Sequence, residues 1–115
     1  MPLVFSYGTL QRADVQQMTY GRLLPGAADA LPGFDLDLAP ITDPARAELH
    51  GRTHYPNAVP SGQTGSRVQG MVFELTDDEL ARTDAYEAQD TYVRIEVTLA
   101  SGATAWVYVH APTSR

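Results

Sequence analysis

The stretch VQGMVFELTDDEL, residues 68–80, decides the fold because it joins a predicted strand directly to a predicted helix. The segment from Val68 to Leu75 is rich in β-branched, aromatic and other apolar residues, which is typical of a strand. Thr76 and Glu79 have the spacing of a capping box, in which each side chain satisfies a backbone N–H of the other residue. We therefore predict a strand over 68–75 and a helix from Thr76 to about Glu87.

Downstream of this helix, the sequence predicts two strands joined by a hairpin. Residues 92–99 alternate, and the apolar residues at 93, 95, 97 and 99 share one face, which we expect to be buried. Ser101 and Gly102 are typical of the turn, and residues 103–109 form the last predicted strand.

In residues 1–67, the predicted strands and helices are shorter and are interrupted more often by proline and glycine. We predict a strand over 3–6, a helix over 14–20 closed by Gly21, and strands over 23–38 interrupted by two Pro-Gly turns. Residues 39–67 carry four prolines and three glycines, and we interpret them as a long loop with one short strand near 52–55. Together these elements predict one α+β domain over residues 1–115, built around a small β-barrel or curled mixed sheet with two short helices.

Composition limits the partners and the compartment. The formal net charge of −6 disfavours nucleic acid and anionic membranes, although backbone N–H groups can still bind an anionic small molecule. No apolar run is long enough to span a membrane, and the N-terminus lacks the pattern of a signal peptide. The chain has no cysteine, which fits a reducing compartment, and we expect a cytoplasmic protein.

The predicted helix carries a carboxylate on an unexpected face. With Leu80 at the centre of the buried face, Glu87 lies only about 20° and Asp84 about 40° from that centre. Glu79 falls on the opposite side, where we expect solvent. A desolvated carboxylate has the raised pKa that a general base needs near neutral pH, so Glu87 is a candidate base. The alternative is that Glu87 points to water at a frayed helix end. Asp84 is either catalytic or structural, and we expect the structural role, in which it accepts backbone hydrogen bonds from a neighbouring loop.

A second candidate site is the turn Tyr7-Gly8-Thr9-Leu10, which follows the first strand directly. A glycine here lets the backbone bend and expose consecutive N–H groups, which bind carboxylates and oxyanions without a basic side chain. An ordinary turn explains the same four residues. A zinc site is disfavoured: His50 and His54 have helical i, i+4 spacing, but Gly51 and Pro56 oppose a helix there, and we predict no metal.

The ordered set of segments resembles the gamma-glutamylcyclotransferase family. The set comprises the Tyr7–Leu10 turn, the strand and helix of residues 68–80, the run Asp84-Ala85-Tyr86-Glu87, and Tyr92-Val93-Arg94. It looks most like the subgroup with a Tyr-Gly-Thr-Leu turn, which includes gamma-glutamylamine cyclotransferases. The chain departs from the family pattern at Thr83, where leucine is usual, and at Ala88, where glycine is common.

The resemblance implies an enzyme that closes a γ-glutamyl group to 5-oxoproline and releases an amine or amino acid, without a cofactor. It implies that Glu87 is the catalytic base, that Tyr7, Gly8, Thr9 and Leu10 bind the glutamyl group, and that Tyr92 lines the pocket. It also implies a small γ-glutamyl substrate as the partner; oligomeric state and leaving group stay open. The alternative is a non-catalytic γ-glutamyl-binding or carboxylate-binding module of the same fold.

Overall fold

The computed structural model describes residues 1–40, 44–50, 54–63, 65–89 and 92–110. The strands are β1 (Leu3–Ser6), β2 (Gly26–Pro32), β3 (Phe34–Pro40), β4 (His54–Pro60), β5 (Arg67–Glu74), β6 (Tyr92–Thr98) and β7 (Thr104–His110). The helices are α1 (Ala13–Tyr20), α2 (Pro44–His50) and α3 (Asp77–Ala88), and a short 3-10 helix covers Thr9–Gln11. None of the described helices is both long enough and apolar enough to cross a membrane.

Five of the strands form one mixed sheet in the order β2-β5-β1-β7-β6. β1 runs antiparallel to β5 and parallel to β7, and β3 pairs with β4 in a separate two-stranded ribbon. The predicted α+β class and mixed sheet are confirmed. The barrel alternative is wrong because β2 and β6 are the outer strands of an open sheet, and the described residues form three α-helices instead of two.

The core lies on both faces of this sheet, and β1 contributes to both. Val4 packs with apolar residues of α1, α3 and β5 on one face, among them Leu80. Phe5 packs on the other face with residues of β2, β4 and β7, among them Leu31 and Val107. Val4 and Phe5 are each only 1% exposed, so β1 is the buried centre of the domain.

Gly70 allows β5 to approach the end of β1 closely. A Cβ atom at this position would lie 2.3 Å from the carbonyl oxygen of Ser6 and 2.8 Å from the ring of Phe5. No side chain fits at that distance from a backbone atom, so glycine is required where β1 ends and the next turn begins.

The region predicted as a long loop with one short strand near 52–55 contains more regular structure than that, although residues 52 and 53 of the predicted strand lie outside the described residues. β3 extends to Pro40, α2 covers Pro44–His50, and β4 covers His54–Pro60. Pro44 is the first residue of α2, where proline is tolerated because the missing N–H would have no partner in the helix. Pro56 and Pro60 lie in a two-stranded ribbon, where one side of each strand needs no ladder hydrogen bonds.

The ribbon leaves apolar side chains exposed. Leu36 is 55% exposed and Leu38 is 65% exposed, and they alternate along β3 with Asp35 and Asp37. The carboxylate of Asp37 accepts a hydrogen bond of 2.8 Å from the backbone N–H of Leu38.

The buried face predicted for residues 92–99 is only partly buried. Leu99 is 2% exposed, but Val93 is 48% exposed and Ile95 is 37% exposed. β6 is the outer strand of the sheet, so the alternation correctly predicts a shared face, but the core does not extend far enough to cover its outer residues.

α3 begins with the predicted capping box, but Glu79 is buried instead of exposed. Thr76 accepts from the Glu79 N–H, and Glu79 accepts from the Thr76 N–H. The Glu79 carboxylate also accepts two hydrogen bonds of 2.7 Å from the guanidinium of Arg22. The helical pattern could not reveal Arg22, which is 57 residues away in sequence. These bonds, led by the one from Arg22, lower the pKa of Glu79 from 4.5 to about 2.

We expect Glu79→Gln to destabilise the protein near neutral pH by about 1–3 kcal/mol, because glutamine preserves the capping-box shape but loses the charged pair. Arg22 is 39% exposed, which favours the lower end of this range. Since folding lowers the Glu79 pKa from 4.5 to about 2, its stabilisation is complete above pH 4.5 and is lost as pH falls toward 2. Urea unfolding should show that the difference in free energy of unfolding between the variant and wild type becomes smaller as pH falls from 4.5 toward 2.

The control is Asp78→Asn, which changes an exposed carboxylate in the same helical turn. Its effect on the free energy of unfolding should be small across the window. A Glu79→Gln difference that stays constant with pH would contradict the role assigned to the ion pair.

Candidate functional site

The turn after β1 is held at both of its ends. At its start, the Ser6 hydroxyl accepts a hydrogen bond of 3.2 Å from the Gly8 N–H. At its end, Leu10 is 3% exposed in the core, and its carbonyl accepts a bond of 2.7 Å from the buried amide of Gln16. The short 3-10 helix between them is closed by a bond of 2.9 Å from the Arg12 N–H to the Thr9 carbonyl. The turn is therefore part of the folded core.

Neither of the two usual structural requirements for glycine, a left-handed backbone or a close steric contact, applies to Gly8. Its φ of −134° is negative, so a left-handed backbone does not require it. Among the described residues other than its two chain neighbours, no atom lies within 4 Å of the position that a Cβ would take, in contrast to Gly70. The surface beside Gly8 is thus open to a molecule that approaches the backbone.

The turn contacts the C-terminal part of α3 through two hydroxyl groups. Thr9 Oγ1 and Tyr86 OH form a hydrogen bond of 3.0 Å, in which either can donate. Tyr86 immediately precedes Glu87, so the turn meets the helical segment that carries the predicted base. In the sequence analysis, the family resemblance was the argument that assigned the turn and Glu87 to the same site. No role was predicted there for Tyr86.

Glu87 is half-buried near the end of α3. Its negative charge acts on three tyrosine phenols: Tyr7, Tyr20 and Tyr108. Burial raises the pKa of Tyr7 to about 12, with Glu87 adding to the rise and the Ala58 N–H opposing it. Glu87 is thus close enough to these three phenols for its charge to disfavour their ionisation.

Asp84 is a hydrogen-bond acceptor that ties α3 to the sheet. Its Oδ1 accepts a hydrogen bond of 2.6 Å from the Tyr108 hydroxyl and one of 2.9 Å from Nε of Arg94. Arg94 also lies 4.4 Å from the centre of the Trp106 ring, so both partners of Asp84 are themselves fixed. Burial raises the pKa of Tyr108 well above its usual range, and the hydrogen bond to Asp84 raises it further. These side-chain donors replace the backbone donors that we expected for a structural Asp84.

Two predicted binding residues use their phenols to hold β4. The Tyr7 hydroxyl donates a hydrogen bond of 2.7 Å to the Tyr108 carbonyl and accepts one of 3.0 Å from the Ala58 N–H. Tyr92 OH donates 2.5 Å to the Pro56 carbonyl. Between them, the Asn57 side chain accepts 2.9 Å from the His110 N–H. We call Pro56–Ala58 the clamped segment.

The candidate site therefore comprises the Tyr7–Leu10 turn, the end of α3, which the turn contacts through Thr9, and the clamped segment, which the turn contacts through Tyr7. The structure connects all the predicted site residues to these three parts, although their contact with a substrate stays a prediction. Tyr86, Tyr108 and the clamped segment were missed because their roles arise from contacts between residues distant in sequence.

Metal ligation has little support in the part of the chain that the structure describes. No group of three or more His, Asp or Glu residues gathers there in a way that could hold a metal ion. α2 ends at His50 and β4 begins at His54, so these two residues do not share one helix. A metal-free site stays a prediction.

Comparison with known proteins adds a family match. The family model described as "Gamma-glutamyl cyclotransferase, AIG2-like" matches residues 4–115. A protein of Arabidopsis thaliana with a known solution structure is 26% identical, with a TM-score of 0.71, over 99% of this chain and 71% of that one. No curated protein matches the sequence.

Two further structures share the fold. A second Arabidopsis thaliana protein is 21% identical, with a TM-score of 0.72, over 99% of this chain and 64% of that one. A structure described as a gamma-glutamyl cyclotransferase is 20% identical, with a TM-score of 0.71, over 95% of this chain and 66% of that one. The chain thus spans between 64% and 71% of the length of these three relatives.

We expect Asp84→Asn to lower the free energy of unfolding by about 1–2 kcal/mol, because asparagine loses the charge that Arg94 and Tyr108 share. Urea unfolding measures the loss. Asp77→Asn is the control, since Asp77 is exposed at the other end of the same helix. Equal stability of the two variants would show that the Asp84 contacts do not help to hold α3 on the sheet.

Proposed function

Because the chain belongs to the AIG2-like gamma-glutamyl cyclotransferase family, we propose that it converts a small γ-glutamyl compound to 5-oxoproline and releases an amine or amino acid. Members of this family are generally enzymes, and Glu87 is present, so the non-catalytic alternative is not favoured. The observation that carries the proposal is the hydrogen bond between Thr9 and Tyr86, since it joins the proposed binding turn to the residue before the proposed base.

The proposed reaction is an intramolecular acyl transfer. The α-amine of the glutamyl group attacks its own γ-carbonyl carbon and forms a new C–N bond. The original C–N bond to the leaving nitrogen then breaks. The α-ammonium nitrogen must lose two protons to become the N–H of the ring, one before it attacks and one after the new bond has formed. Glu87 takes each proton in turn and passes it to the leaving nitrogen, which departs as an ammonium group, so protons balance over the cycle.

The turn is proposed to hold the α-carboxylate of the substrate through backbone N–H groups of residues 7–10. Arg94, which lies beside the C-terminal half of α3, already pairs with Asp84, so backbone groups are the better candidates for binding an anion. Open space beside Gly8 supports a close approach of the ligand to the backbone. Fixing the glutamyl chain in a ring-closing conformation supplies a large part of the rate, since effective molarities reach ~10⁵ M or more.

The hydroxyls of Tyr7 and Tyr92 already bond to the clamped segment, so we do not expect them to form hydrogen bonds with a substrate. Both hydroxyls bond to β4, so their rings and the Tyr7 backbone are the parts offered to a substrate. We propose that these rings border the site. Among γ-glutamyl compounds we favour γ-glutamylamines, on the resemblance of the Tyr7–Leu10 turn. We propose a cytoplasmic location, which the absence of cysteine supports.

The direct test is release of 5-oxoproline from a panel of γ-glutamyl compounds that pairs amine leaving groups with amino-acid leaving groups of matched size. Release from any member supports cyclotransferase activity, and the ratio of kcat/KM values between matched pairs identifies the leaving group. A folded protein that binds these compounds without releasing 5-oxoproline from any of them would support the binding-module alternative.

We expect Glu87→Gln to lower kcat by about 10²–10⁴-fold while preserving the fold and most of the substrate affinity. Glutamine has nearly the volume of glutamate but cannot take a proton from the ammonium group. Initial rates of 5-oxoproline release and a binding isotherm for the same compound measure the two effects separately.

Asp84→Asn is the matched carboxylate control for this experiment. It should reduce stability more than it reduces the rate per folded molecule, because Asp84 holds α3 and does not transfer the proton. A folded Glu87→Gln protein with near wild-type turnover would remove Glu87 from the mechanism.

We expect Gly8→Ala to fold normally but to lower kcat/KM by about tenfold or more, because the added methyl group occupies space proposed for the substrate. Gly70→Ala is the control, since its methyl group collides with the Ser6 carbonyl and should cost about 1–3 kcal/mol of stability. Urea unfolding and 5-oxoproline release distinguish them. If Gly8→Ala leaves kcat/KM unchanged, the substrate does not approach the turn at this residue.

A further inference from the structure

Three side chains near the end of α3 make hydrogen bonds to different parts of the molecule. Thr83 bonds to Tyr20 of α1, at 2.5 Å. Asp84 bonds to Tyr108 of β7 and Arg94 of β6. Tyr86 bonds to Thr9 of the turn, at 3.0 Å. The helical segment before Glu87 is therefore fixed from three directions, and Tyr86 provides the bond that reaches the turn.

The other described hydrogen bonds of the turn connect it to β1, α1, β4 and β7, and not to α3. The Ser6 hydroxyl, the Gln16 amide and the burial of Leu10 fix its shape and its place on the core. The ring of Tyr86 packs against the same core cluster that contains Leu10, and its hydroxyl bonds to Thr9. Core packing and this hydrogen bond thus both contribute to the distance between the turn and α3.

The proposed chemistry is sensitive to this distance. In a γ-glutamyl group, the α-carboxylate and the α-amine are attached to the same carbon atom. A turn that binds the carboxylate and a base that reaches the amine must therefore keep a fixed separation. A misplacement of about 1 Å can reduce the rate by as much as 10²-fold.

We propose that Tyr86 is a positioning residue, whose hydrogen bond to Thr9 holds the substrate-binding turn in register with Glu87. This inference rests on the proposed function and adds a role that the resemblance did not assign to either side chain. The Thr9 hydroxyl is then a structural tie between the turn and α3, and substrate contacts in the turn come from its backbone.

The test uses Tyr86→Phe, which keeps the packed ring and removes only the hydroxyl. We expect kcat for 5-oxoproline release to fall by about tenfold, with a smaller change in KM, because the carboxylate can still bind while the base is misaligned. Thr9→Val removes the other half of the same bond. The double variant should be no slower than the slower single variant, since both changes remove one interaction.

Tyr20→Phe is the matched control because it also removes a tyrosine–threonine hydrogen bond to α3. The Thr83 hydroxyl donates to the Glu79 carbonyl, so Tyr20 is the donor in its bond to Thr83. This control should lower the melting temperature while keeping kcat/KM within about twofold of wild type. A loss of kcat as large as that of Tyr86→Phe would mean that any loosening of α3 slows the reaction, and would overturn the specific role of Tyr86.

Amide hydrogen exchange gives a second readout that does not need activity. In Tyr86→Phe, the N–H groups of Gln11 and Arg12, which close the turn, should lose about tenfold in protection, while those of β5 stay unchanged. If wild-type protein releases no 5-oxoproline, the proposed function fails, and exchange alone decides the inference. If wild type is active, a Tyr86→Phe kcat/KM within about twofold of wild type overturns the inference, as do strictly additive effects of the two single changes.

Discussion

The close approach of β5 to the end of β1 at Gly70 is the constraint on which the rest of the molecule depends. β1 is the central strand, and its side chains enter the cores on both faces of the sheet. Because Gly70 leaves no room for a side chain beside Ser6, the chain departs from β1 at a fixed point. The turn therefore begins at a position set by backbone contact, which is stiffer than any contact made by flexible side chains.

Tyrosine hydroxyls make many of the described connections between this centre and the outer elements. The chain has six tyrosines and no cysteine, and the five tyrosines whose side chains the structure describes all bond across long sequence separations. Each phenol combines a large ring that packs in the core with one polar atom at its tip. A domain of this size thereby fixes a ribbon, a turn and two helices on one sheet without disulfides. The charge of Glu87 also acts on three of these phenols, those of Tyr7, Tyr20 and Tyr108.

The sequence pattern correctly predicts elements that are determined by neighbouring residues. It does not predict features that depend on contacts between residues distant in sequence. The capping box at Thr76 and the strand over β5 follow from neighbouring residues, and both are present. α2 was missed because Pro44 suggested a loop, although proline fits the first position of a helix. Burial of Glu79 depends on Arg22, and the position of Thr9 depends on Tyr86, neither of which helical or strand periodicity can detect. The family resemblance indicated Glu87 and the turn, but not the bonds that join them.

The exposed ribbon has a consequence for the behaviour of the protein at high concentration. Within the described residues, β3 pairs only with β4, so its outer edge offers backbone groups to a strand of another molecule. Leu36 and Leu38 would favour such stacking, but Asp35 and Asp37 would bring like charges together between the two copies. Asp37 also occupies the N–H of Leu38, which withdraws that donor from intermolecular pairing. Both effects oppose edge-to-edge pairing of the ribbon, so we expect that removing the two aspartates would make self-association at high concentration more favourable.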